Sequence, residues 1–145
     1  MPTIIENPTK LQFNSPSDVL ELESGLRPAT KPAPTGIPQL VGTWMNRDIT
    51  SQGLVKLIIG NNFSIHGFGA CVPTPCDWGT APGTNYAENV TGNQPVAFTA
   101  LYKTSFKETI IVGRLEAGLL LVETFDHFTD GSGRSNYVSK IVMEK

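Results

Sequence analysis

Leu54-Val55-Lys56-Leu57-Ile58-Ile59-Gly60-Asn61-Asn62-Phe63-Ser64-Ile65-His66-Gly67-Phe68-Gly69 is two short apolar runs separated by a Gly-Asn-Asn break. Asparagine and glycine accept the left-handed backbone of tight turns, so Asn61-Asn62 reads as a two-residue hairpin connection between strands over 54–60 and 63–69. The runs are too short, and too rich in branched and aromatic residues, for a helix. Alternation places Phe63, Ile65, Gly67 and Gly69 on one face of the second run, and Ser64, His66 and Phe68 on the other.

The same grammar extends in both directions. A first strand is expected over 39–47, with a turn over 49–53. Past Gly69 comes Ala70-Cys71-Val72-Pro73-Thr74-Pro75-Cys76-Asp77-Trp78-Gly79, a proline-rich loop that leads into a fourth strand beginning over 77–80. Residues 81–95 are polar and turn-rich. Further strands are expected over 96–103, 106–114, 119–128 and 135–144, separated by turns at 104–105, 115–118 and 129–134. Eight short strands with short connections predict an all-β fold over 39–145. The expected form is an antiparallel, eight-stranded up-and-down barrel, closed because closure removes exposed edges; an open sandwich is the alternative. On the seventh strand Leu119, Leu121, Glu123, Phe125 and His127 share one face, and Leu120, Val122, Thr124, Asp126 and Phe128 the other. Both faces carry apolar residues, so alternation alone does not assign the lumen.

Residues 1–38 have a different character. They hold seven of the chain's 11 prolines and a single aromatic, Phe13. They read as an N-terminal arm. Within it Ser15 as N-cap, Pro16 as first helical residue and Gly25 as terminator predict a short helix near 16–24. Arg27–Pro34 is an extended connector.

Composition excludes several classes. The net charge is −2, 17% of residues are charged, and no basic run tracks a phosphate backbone, so no nucleic-acid partner is expected. No apolar run reaches the roughly 20 residues of a membrane-spanning helix, so no membrane partner is expected either. The N-terminus lacks the basic and apolar regions of a signal peptide. The compartment is therefore left open between the cytoplasm and secretion without a recognisable signal.

Gly42-Thr43-Trp44, at the first strand and after a proline-rich lead-in, resembles the Gly-x-Trp signature of the calycins, the lipocalin and avidin-like barrels. That resemblance implies that Trp44 plugs the closed end of the barrel. It also implies that a basic residue near the last strand covers the indole, for which Lys140 and Arg134 are the candidates. Trp44–Asp48, Cys71–Gly79 and Thr124–Tyr137 also resemble a small bacterial domain with a Cys-x-Pro-Thr-x-Cys-Asp-Trp-Gly motif. That likeness implies no activity.

The spacing of Cys71 and Cys76 admits a local disulfide, a reduced pair or, with His66 and His127, a zinc set; no metal or cofactor is assigned. Asp77 and Trp78 beside the loop form a candidate binding rim, in which an aromatic face stacks on a ligand and a carboxylate accepts its protons. Tyr86, Phe68, Tyr102 and His127 complete the candidate ligand-binding set. No nucleophile motif or phosphate-cradling loop is present, and catalysis is not expected. The expectation is a non-enzymatic binding module for a small apolar or carbohydrate ligand at the barrel mouth or rim. The alternatives are an assembly domain that uses the arm, as a homo-oligomer, and a small barrel enzyme that pairs His66 or His127 with an acid.

Overall fold

The computed structural model describes residues 38–145. The arm up to residue 37 and its expected helix near 16–24 lie outside the described residues. Eight strands follow one another: β1 (Gly42–Asn46), β2 (Leu54–Ile59), β3 (Ser64–Gly69), β4 (Cys76–Tyr86), β5 (Ala97–Lys103), β6 (Lys107–Glu116), β7 (Leu119–Phe128) and β8 (Tyr137–Glu144). Each pairs antiparallel with the next, and β1 pairs with β8 to close the barrel. The eight-stranded up-and-down barrel read from the sequence is the fold. The described residues contain no helix, and so none long and apolar enough to cross a membrane.

Two local readings are corrected. Residues 61–62 are not a two-residue hairpin: Phe63 also belongs to the turn, with φ +60°, while Gly60 N–H donates to the Ser64 carbonyl at 3.0 Å. The Asn62 side chain fixes this longer loop by accepting the Ser64 N–H at 3.0 Å. Of residues 81–95, read as polar and turn-rich, the first six are strand and the rest is turn and loop. β4 continues to Tyr86 and pairs with β5 from Gly83↔Ala100 to Tyr86↔Ala97.

The lumen face follows from burial. Trp44, Leu57, Ile65, Phe98, Ile111, Leu120 and Met143 are fully buried and point inward. Burial of such side chains contributes about 1.5–3 kcal/mol each and is the main force holding the sheet closed. They crowd one end. Trp44 closes it: the indole Nε1–H donates to the Leu40 carbonyl at 2.8 Å, so its one polar atom is satisfied inside the core. The cation over the ring is Lys145, with Nζ 5.1 Å from the ring centre. It is neither Lys140, which lies outside near Glu123 at 4.0 Å, nor Arg134, which stacks on Phe128.

The other end is polar. Facing strands line up inward rows of Thr109, Asp126 and Tyr137, then Ile111, Thr124 and Ser139, then Gly113, Val122 and Ile141, then Leu115, Leu120 and Met143. The lumen thus grades from polar at the open end, where the 47–53, 70–75, 104–106 and 129–136 connections lie, to apolar at the plugged end.

Candidate functional site at the open mouth

A cavity of about 530 Å³ occupies the open end. Its wall is built by an irregularity in β4. Between the pairs His66↔Thr80 and Phe68↔Asp77 the register shifts, so Gly67 alone faces Trp78 and Gly79. Gly79 takes φ +81°, which glycine adopts without a Cβ penalty. Regular alternation from buried Ala81 would point Gly79 and Asp77 inward. The extra residue inverts this, so that Trp78 and Cys76 face the cavity and Asp77 faces out.

Trp78 rests on bare backbone. A Cβ on Gly69 would lie 2.6 Å from the indole Nε1, and one on Gly67 would lie 3.1 Å from ring atom Cε3. One face of the indole is therefore seated against β3 and the other looks into the cavity. Tyr102 meets it edge-on, with centroids 5.9 Å apart. The Tyr102 hydroxyl accepts the Gly67 N–H at 2.9 Å and lies 2.8 Å from both the Ile65 and Gly79 carbonyls, toward which it donates. Burial raises its pKa above the ordinary 10.0, and the Asp77 charge adds to that effect.

Across the mouth Asp126 is 6% exposed. A buried carboxylate needs donors, and this one has them. Thr109 Oγ1 donates to it, Lys107 Nζ lies 3.4 Å away, and Tyr137 sits directly opposite it on β8. Burial, followed by the neighbouring Asp126 carboxylate, raises the Tyr137 pKa. Lys107 Nζ also lies 6.0 Å from the centre of the Trp78 ring, so acid, ammonium and indole converge on one space. Cys71 and Cys76 are joined as a disulfide, with Cα atoms 5.4 Å apart, which ties the loop that leads into Trp78. Bonded to each other, the two sulfurs are not thiolate ligands for zinc. Among the described residues no group of three or more metal-capable side chains comes together.

The six rim candidates are dispersed. Trp78 and Tyr102 are at the cavity. Asp77 and Phe68 are on the outer wall with His66: His66 Nε2 is 2.6 Å from Asp77 Oδ1, and its ring stacks on Phe68 at 4.4 Å. His127 faces outward near Glu108 at 3.9 Å. Tyr86 is at the plugged end, with its hydroxyl 3.1 Å from Thr99 Oγ1. Asp126, Lys107, Thr109, Tyr137 and Ser139 were not singled out as ligand-binding by the sequence reading. Their signal was parity: once the lumen face is known, a run of polar residues at inward positions on three adjacent strands marks the mouth.

Comparison with known proteins found no matching family model, no matching curated protein and no matching solved structure.

Proposed function

We propose that the chain is a non-enzymatic binding module whose open mouth holds a small saccharide. The plugged half is filled by Trp44, Phe98 and Leu120, which leaves no deep calyx for a long apolar ligand. The observation that carries the reading is the convergence of one free indole face with a buried carboxylate and an ammonium. A sugar ring presents an apolar C–H face to stack on Trp78. Its hydroxyls donate to Asp126 and accept from Lys107. The Gly-x-Trp resemblance to calycins agrees with binding at the end opposite the plug.

Calorimetric titration of the full chain with methyl glycosides of glucose, galactose, mannose and N-acetylglucosamine tests this. At least one is expected to bind. Asp126→Asn is expected to weaken it by about 1.5–3 kcal/mol, roughly ten- to a hundredfold, as for a hydrogen bond to a charged group. No binding by any, or unchanged binding in both Asp126→Asn and Trp78→Ala, contradicts the proposal.

A second reading, assembly, is favoured by one feature outside the barrel. Leu101, Ile110, Phe125 and Val138 are in direct cross-strand register and form an apolar row, each 41–50% exposed. Sedimentation velocity on the full chain separates the readings: a dimer that Phe125→Glu dissolves supports assembly, and a monomer removes it.

A further inference from the structure

We propose that His66 and Asp77, on the outer wall, are positioning residues for the mouth: together they hold the β4 bulge in the register that turns Trp78 inward. A strand that slips by one residue exchanges its two faces. Without the bulge Trp78 would face solvent and Asp77 would enter the lumen. Each link that opposes this slip is visible. Asp77 Oδ1 accepts the Gly79 N–H at 2.7 Å, which closes the bulge on itself. The same oxygen takes His66 Nε2 at 2.6 Å, which ties the bulge to β3. His66 is held flat by stacking on Phe68, and Lys56 Nζ of β2 lies 4.4 Å from the Phe68 ring centre. Lys56, His66 and Asp77 are thus the charged and titratable groups of the three strands at this spot. None of them lines the mouth cavity.

The two sides of the wall act on the same two residues. Inside, Tyr102 lies 2.8 Å from the Gly79 carbonyl and the indole sits on Gly67 and Gly69. Outside, Asp77 holds the Gly79 N–H. The consequence is that the mouth's aromatic platform depends on a pair that never touches the ligand. Only this consequence for affinity rests on the saccharide reading; the positioning itself does not.

The test is the fluorescence and acrylamide quenching of Trp78 in the full chain. The Trp78 signal is obtained in each variant by subtracting the same variant carrying Trp78→Phe, which leaves Trp44 common to both. Asp77→Ala is expected to shift Trp78 emission to the red and raise its quenching to that of an exposed indole. Asp77→Asn, whose amide oxygen still accepts both bonds, is expected to restore the wild-type signal of the half-buried indole. His66→Ala is expected to move in the same direction as Asp77→Ala, and His66→Gln to reverse it. Unchanged Trp78 emission and quenching in Asp77→Ala overturns the proposal, as does a shift that Asp77→Asn does not rescue. Should Asp77→Ala fail to fold, seen as loss of the Trp44 indole resonance, His66→Ala and its rescue by His66→Gln decide alone by the same criteria. If Trp78 moves as expected but wild type binds no methyl glycoside, positioning stands and the binding reading fails. If glycosides bind and Trp78 does not move, the reverse holds.

Discussion

At Gly69 a methyl group has nowhere to go, because the indole of Trp78 lies where its Cβ would be, 2.6 Å from Nε1. The backbone there is ordinary strand, so the glycine is required for space and not for φ. Gly69→Ala is expected to destabilise the protein by about 1–3 kcal/mol, as overpacking does, and to push Trp78 toward solvent. Denaturant unfolding with Trp78 emission measures both. Tyr102 gives a second prediction at this scale. Its hydroxyl pKa is raised by burial above the ordinary 10.0. A raised folded-state value means the neutral phenol is favoured in the fold. That contribution is complete below pH 10.0 and is lost as pH climbs through the higher folded value. Stability should therefore fall on raising pH above this point in the wild type, and Tyr102→Phe should reduce that dependence, leaving the share that the raised Tyr137 contributes in the same sense. Asp77 runs in the other sense. The Gly79 N–H and then His66 hold its pKa below 3.8, so its contribution is present above that value and lost as pH falls below it. The sequence made Trp44 and Trp78 conspicuous. It did not show that Lys145 covers the plug, because a single residue past the last strand carries no periodic signal.

Strands were legible from alternation and turn residues, but the faces were not, and the two bulges explain why. In β2 the register shifts between Leu54↔Gly69 and Lys56↔Phe68, and in β4 at Trp78-Gly79. Each inserts one residue and inverts the parity beyond it, so a strict alternation carried along the chain puts Asp77 on the lumen side and Trp78 opposite. Nothing in the residue types alone announces the insertion; Gly79 is the one compatible mark. The seam between β1 and β8 has its own consequence. Only Met45↔Glu144 and Asn46↔Met143 pair there, with Arg47 N–H reaching the Val142 carbonyl at 3.0 Å. Val142 faces β1, so by the two-residue period the backbone groups of Val138 and Lys140 face the same way. Among the described residues no strand reaches them. Ser139 and Ile141 face β7 instead. Amide hydrogen exchange is expected to be fast at Val138 and Lys140 and slow at Ser139 and Ile141. Equal protection at all four would show that a segment outside the described residues covers this edge.

For the whole molecule, the inward rows pass from Thr109, Asp126 and Tyr137 at the mouth to Leu115, Leu120 and Met143 at the plug. This gradient makes the barrel a shallow cup rather than a deep calyx. The apolar row of Leu101, Ile110, Phe125 and Val138 on the outside explains why both faces of the later strands read as apolar in the sequence. Closure and strand count were legible because they depend on pattern. The mouth was only partly legible because it depends on register between strands far apart in the chain, as between Lys107, Trp78 and Asp126. The two tryptophans sit at opposite ends, one in the plug and one in the mouth, and give an internal control. The most direct measurement is therefore the indole N–H region of a ¹⁵N correlation spectrum of the full chain during titration with the methyl glycosides. The Trp78 resonance is expected to move saturably while the Trp44 resonance stays in place. No movement of Trp78 with any of the sugars, or equal movement of both indoles, would contradict a saccharide site at the mouth.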